Sequence, residues 1–167
     1  MSNHTTICVP LTRGLFTIID AIDQAILTGK LQATPYKTSG PYATKAMLTS
    51  TGRRPVKLHR IIMERMLGRP LEKHEHIDHA DGDPLNNRRR NLRICSHTTN
   101  AMNAKKRSDN KSGFKGVCLH KATGLWRSYI TVNKRKKSLG YYRTPEEAHE
   151  AYKRAALEYY GEFARFE

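Results

Sequence analysis

Cysteine is scarce and scattered. The three present, Cys8, Cys95 and Cys118, form no C-x-x-C pair, which excludes a disulfide framework and a four-cysteine zinc site and reads as a reduced, intracellular chain. No apolar run approaches the ~20 residues that a membrane span requires. The opening MSNHTTICVP has neither a basic nor an apolar leader region, so no membrane or secretory segment is expected and the place of action is read as cytoplasmic. No heptad repeat supplies an apolar dimer seam, so a monomer on its partner is expected. Acidic residues are outnumbered, 15 against 30 Lys and Arg, which leaves a net charge of +15 and points to a polyanionic partner, nucleic acid first.

The positive charge is unevenly placed. Residues 1–52 carry 4 basic and 2 acidic groups, 53–110 carry 14 and 7, and 111–167 carry 12 and 6. The first third reads as a small β-rich layer, with apolar stretches at 7–9, 15–19 and 42–48 and one short helix near 20–27. From Leu58 the period changes. Leu58, Ile61, Ile62, Met66 and Leu67 are spaced for one helix face, and Gly68 is placed as its C-cap before Arg69-Pro70.

Eleven Lys and Arg against a single acid, Asp109, fill residues 105–137, opened by the linker-like KKRSDNKSG. Strand-like runs follow at about 114–119, 126–132 and 137–142, separated by the turn signals Thr123-Gly124 and Asn133-Lys134. Thr144-Pro145-Glu146-Glu147 is a capping box with proline at the first helical position. Ala148, Ala151, Tyr152, Ala155, Ala156 and Tyr159 then make one apolar helix face, closed by Gly161. Such a helix covers one face of the sheet, and the other face, with its Lys, Arg and Trp126, is left to bind. Trp126 divides evenly between core support and contact.

Between these regions lies HEHIDHADGDPLNNRRRNLRICSHTTNAMNAKK. Asp78 and His79 end a short extended run before the turn Ala80-Asp81-Gly82-Asp83-Pro84, and a helix-compatible stretch over 97–106 carries Asn100. Phosphodiester hydrolysis needs a base to activate water and a cation to neutralise developing charge. His79 suits the first task, and Asp78 with Asn100 the second. One carboxylate and one amide, completed by water and phosphate, describe a Mg²⁺ site, with Mn²⁺ as a substitute, better than a zinc site. Arg88, Arg89 and Arg90 beside them are placed to clamp phosphate. His59 reads as packing at the start of its helix.

Leu58-His59-Arg60 leading into IDHADGDPLNNRRRNL and a further helix resembles the HNH homing endonuclease family, of phage type with a ββα-metal fold. The resemblance implies a general base at His79, metal ligands at Asp78 and Asn100, and at Asn91 the asparagine that braces the base-bearing loop. The final histidine of the family name is here Asn100, with His97 one helical turn earlier as the competing ligand. The stretch from Ser112 to Ala164, with Gly116-Val117, Trp126, Leu139-Gly140, an EEA helix and Tyr159-Tyr160-Gly161, is similar to the APETALA and ethylene-response-factor DNA-binding domain. That resemblance implies that the sheet enters the major groove. Lys115, His120, Trp126, Arg127, Tyr129, Thr131, Lys134, Lys136 and Lys137 become its DNA contacts by position.

The expected architecture is α+β: a β-rich segment over 1–54, a ββα-metal nuclease domain over 55–106, a basic linker over 107–112, and over 113–167 a three-stranded antiparallel sheet packed on one helix. The expected function is site-directed cleavage of double-stranded DNA by one metal and one histidine base, nicking a single strand because the chain has one active site. The competing reading is a transcription-factor-like DNA-binding protein with an inactive nuclease fold.

Overall fold

Two compact units, Met1–Ser96 and His97–Glu167, make up the chain. The structure, a computed structural model, describes residues 5–36, 40–50, 52–96, 102–103, 106 and 109–166. Both units mix small antiparallel sheets with helices, an α+β architecture. Most of the stretch 97–106, where a helix is expected, lies outside the described residues, as does part of the linker over 107–112.

In the first unit β1 (Thr6–Pro10) and β2 (Phe16–Asp20) form a hairpin. A 3-10 helix, Ala21–Leu27, follows where the short helix is expected. β3 (Leu31–Thr34), β4 (Tyr42–Thr49) and β5 (Gly52–Lys57) then make a sheet in the order β3-β4-β5. The sequence reading lacks β3 and β5. The second, GRRPVK, is basic and contains Pro55, which a strand tolerates at a sheet edge, where one row of its backbone donors is unused.

Helix α1 (Leu58–Leu67) ends at Gly68, whose φ of 66° is the left-handed C-cap that the sequence indicates. Its buried face is Leu58, His59, Ile62 and Met63, rotated from the expected one. Met66 and Leu67 are 40% and 37% exposed. Leu11, Ile19, Leu31, Ala33, Ala43 and Leu92 complete the core with α1. Ile19, Leu58 and Ile62 are fully buried, each side chain contributing about 1.5–3 kcal/mol by its removal from water.

β6 (His76–His79) and β7 (Leu92–Cys95) pair antiparallel, with Asp78 opposite Arg93 and His79 opposite Leu92. The connection between them, 80–91, is tied to the first third of the chain. The backbone N–H of Ile18 donates to Leu85 O at 3.0 Å and that of Asn87 to Ile18 O at 2.8 Å, so β2 extends onto this connection. The backbone N–H of Arg89 donates to Asp20 Oδ2 at 2.7 Å. Its guanidinium meets the fully buried Asp23 through two parallel bonds of 2.8 and 2.7 Å, and Arg65 stands 3.5 Å from the same carboxylate.

In the second unit β8 (Val117–His120), β9 (Leu125–Val132) and β10 (Arg135–Tyr142) form a sheet in the order β10-β9-β8. Asn133 and Lys134 both have positive φ, 51° and 63°, the two-residue turn whose twist matches that of the flanking strands. Helix α2 (Pro145–Tyr160) starts with the reciprocal capping box of Thr144 and Glu147. It buries Ala148, Ala151, Tyr152, Ala155, Ala156 and Tyr160. Tyr160 takes the place expected of Tyr159, since it continues the four-residue ridge 148, 152, 156, and its hydroxyl donates to Thr131 O at 2.6 Å. Gly116, at φ 75°, lies so close to this helix that an added Cβ would stand 2.1 Å from the Tyr152 ring.

Gly116→Ala should therefore cost about 2–4 kcal/mol from overpacking and the left-handed backbone together, lowering the thermal midpoint of the second unit; an unchanged midpoint would contradict this close approach. Asp23→Asn should cost the first unit about 3 kcal/mol, since it deprives Arg89 of its buried partner, as read from the shift in denaturant midpoint.

Candidate active site and nucleic-acid interface

Strand β6 delivers Asp78 and His79 side by side at its C-terminal end, both buried. Cross-strand register sets Asp78 against Arg93. Arg93 Nε and Nη2 donate to Asp78 Oδ2 at 2.9 and 2.7 Å, so both bonds fall on one carboxylate oxygen. Beyond His79 the chain turns sharply: Gly82, at φ 70°, donates its N–H to His79 O at 2.8 Å.

Asn91 closes the resulting loop. Its Oδ1 accepts from the backbone N–H of Asp81 at 3.1 Å, and its Nδ2 donates to Asp81 Oδ1 at 2.9 Å and to Asn86 O at 2.7 Å. Backbone bonds add the frame, with Ala80 N–H donating to Asn91 O at 2.9 Å. Asp81 itself accepts from Asp83 N–H and Asn86 Nδ2, bonds that hold its carboxyl below the usual range against the opposing effect of burial.

Among the described residues, the His79 ring meets Asn87, His59 and Tyr42. Its Nε2 lies 3.4 Å from Asn87 Oδ1. The His59 ring lies 5.0 Å away edge to face, and the Tyr42 ring 6.2 Å away. Burial lowers the pKa of His79, partly offset by the bond to Asn87 and by Asp81, Asp78 and Asp83. The ring is therefore neutral near pH 7 and able to accept a proton. Burial first, then His79, Lys57 and Arg60, push His59 down to about 2. His59 thus packs at the start of α1 as the sequence suggests, and in addition forms a neutral wall against His79. Lys57 Nζ sits 4.0 Å from the Tyr42 ring centroid and 4.3 Å from that of Tyr36, a cation held on aromatic faces beside the site.

Asn100 and His97 lie outside the described residues. Among the described residues no group of three or more His, Cys, Asp or Glu is arranged to hold a metal ion. The donor chemistry that is described is one buried carboxylate, Asp78, which suits a hard cation completing its shell with water and phosphate.

The arginine run is not uniform. Arg88 Nε donates to Asn86 Oδ1 at 2.8 Å, Arg89 turns inward onto Asp23, and Arg90 is exposed. The sequence reading missed Thr17, Asp20, Asp23, Tyr42, Lys57 and the bracing part of Asn87. Their common signal is buried or half-buried polarity, invisible without the long-range pairing that creates it.

On the second unit, strand register separates the expected contacts by face. Cys118, Arg127, Tyr129, Thr131, Lys136 and Ser138 share the face away from α2, and Lys136 Nζ stands 5.0 Å from the Tyr129 ring centroid. His120 joins them, 5.2 Å from Tyr141. Trp126 is corrected to the opposite face, in phase with Ser128 and Ile130, since the period of two carries it towards the helix side. Lys137 lies in that phase too, 4.6 Å over the Tyr159 ring. Lys134 is in the turn. Lys115 is half-buried and donates to Met102 O at 2.9 Å; burial, then Arg165, pull its pKa down to about 8.

A family model of HNH endonucleases matches residues 56–102, and one of AP2 domains matches residues 112–162. "Protein 3.8" of Escherichia phage T7 is 36% identical over 107 residues, covering 58% of this chain and 79% of that one. An uncharacterized HNH endonuclease, L560, of Acanthamoeba polyphaga mimivirus is 28% identical over 109 residues, covering 65% and 56% respectively. No solved structure matches. With an aspartate and a histidine ending the first strand of a β-hairpin and an asparagine bracing the loop between its strands, the chain carries an HNH endonuclease domain over residues 56–102 and an AP2 domain over residues 112–162.

Proposed function

We propose that the protein is a site-directed, homing-type DNA endonuclease that nicks one strand, acting as a monomer in the cytoplasm of a phage-infected host cell. The observation that carries the reading is the buried pair Asp78 and His79 at the end of β6, on a loop braced by Asn91. His79 takes a proton from water, the water oxygen attacks phosphorus, and the strand oxygen leaves. Asp78, with Asn100 by the family pattern, holds the divalent cation, Mg²⁺ or Mn²⁺, which when bound supplies charge neutralisation to the phosphate. Residues 55–106 cut and residues 113–167 read, across the linker at 107–112. The reading face is His120, Arg127, Tyr129, Thr131 and Lys136, with Lys134 at its end.

One observation favours the alternative, a DNA-binding protein with an inactive nuclease fold. Asp78 Oδ2 carries both bonds from Arg93, so a cation must share the carboxylate with a guanidinium.

Cleavage assays separate the two. His79→Ala should lower the cleavage rate at least about a hundredfold, the scale of a general base, and leave DNA affinity within a few-fold; full activity of that variant would sink the base assignment, and absence of cleavage by the native chain with Mg²⁺ or Mn²⁺ would favour the inactive fold. Supercoiled plasmid carrying the target should convert to open circle well before any linear form. Replacing Arg127 and Lys136 by Ala should each reduce the slope of log affinity against log salt by about one, measured by DNA binding at graded salt concentrations.

A further inference from the structure

We infer that Thr17 and Asn87 are positioning residues that fix the tautomer of His79, making Nδ1 the nitrogen that receives the proton; this rests on the reading of His79 as the base. The inference follows from donor and acceptor accounting along one buried chain of hydrogen bonds. Leu85 O lies 2.7 Å from Thr17 Oγ1. A carbonyl oxygen only accepts, so the Thr17 hydroxyl spends its proton there. Its oxygen then accepts, and Asn87 Nδ2 donates to it at 2.8 Å. The second proton of that amide points to Pro84 O at 3.4 Å. With its nitrogen end committed twice, the Asn87 amide presents Oδ1 to His79 Nε2 at 3.4 Å. An amide oxygen cannot donate, so in this contact Nε2 carries the hydrogen, and a neutral imidazole so protonated holds its lone pair on Nδ1.

Burial makes the arrangement hard to reverse. Thr17 is fully buried and Asn87 is 1% exposed, so a flipped amide would set Nδ2 against His79 and Oδ1 against an oxygen that has no hydrogen left to give. Such buried mismatches are costly because no water compensates them. Main-chain pairing fixes the distance: Asn87 N–H donates to Ile18 O and Ile18 N–H to Leu85 O, so β2 carries Thr17 to the loop in a set register. During hydrolysis the proton leaving water forms the Nδ1–H bond, while the Nε2–H bond to Asn87 stays in place through the imidazolium. Both positioning residues are buried.

The test is the tautomer itself, read on the full-length protein by ¹⁵N imidazole shifts, with the His79 signal assigned by its loss in His79→Gln. The native chain and Thr17→Ser, which keeps the hydroxyl, should show hydrogen on Nε2. Thr17→Val, of the same shape without the hydroxyl, should allow the amide to flip and move hydrogen to Nδ1. Adding Asn87→Asp to Thr17→Val should restore Nε2–H, because a carboxylate offers oxygen in either orientation. On supercoiled plasmid, Thr17→Val should lower kcat about tenfold to a hundredfold with KM for DNA unchanged, the scale of lost support behind a reacting group. Hydrogen on Nδ1 in the native chain overturns the inference, and so does a Thr17→Val protein with native tautomer and native kcat. If Thr17→Val fails to fold, the native and Thr17→Ser spectra still decide. The two readings fail separately: cleavage that survives His79→Ala overturns the base, whereas a native Nε2–H tautomer without any cleavage leaves the relay standing and the activity refuted.

Discussion

The active-site loop depends on one carboxamide. Asn91 spends its oxygen on the backbone of Asp81 and its two amide protons on the Asp81 carboxylate and the Asn86 carbonyl, so a connection of a dozen residues between β6 and β7 has little conformational freedom left. That ordering would ordinarily cost about 1–2 kcal/mol per residue in backbone entropy. Here a small side chain and the flanking strand register offset it together. With the loop closed, Asp83, Asn86 and Asn87 occupy defined places, and His79 at its mouth has fixed neighbours.

The first third of the chain, which carries little of the net charge, supplies the rigidity behind that loop. Asp20 and Asp23 are its only acids up to residue 52, and both are spent on Arg89. Thr17 and Asn87 meet in the same layer. Buried polar groups of this kind contribute modestly to stability and strongly to uniqueness, since each accepts only one arrangement of its partners. The rings of Tyr42 and His59 meet edge to face, as do those of His59 and His79, and burial is the largest cause that lowers the pKa of both histidines.

Local signals in the sequence carried the elements well. Gly68 after an apolar helical period and Thr144-Pro145-Glu146-Glu147 before one are chemical stops and starts whose meaning needs no tertiary context, and both stand where the spacing indicates. The adjacency of Asp78 and His79 was equally legible, because it is a fact of sequence. What periodicity does not encode is partnership across 66 to 70 residues: Thr17 with Asn87 or Asp23 with Arg89 reads as ordinary surface until β2 is laid against the loop. Phase errors have a similar origin. Trp126 stands one residue from Arg127, and in a strand one residue decides the face; Tyr159 and Tyr160 differ by a hundred degrees around α2. Lys115 and Arg89 share the composition of a phosphate contact, yet a carbonyl and a buried carboxylate claim them first.

The alternation along β2 has a consequence for how such a gene can change. Thr17 and Ile19 point inward, both fully buried, while Phe16 and Ile18 are exposed, and the backbone of Ile18 is what grips the loop. Insertion or deletion of a single codon between 16 and 20 would exchange the two sets at once, emptying the core position of Ile19 and withdrawing the hydroxyl behind Asn87. Length variation in this strand is therefore tolerable only in steps of two residues. A recombinant that exchanged the nuclease segment without its own β2 would inherit Asp78 and His79 on a loop whose support comes from a different frame.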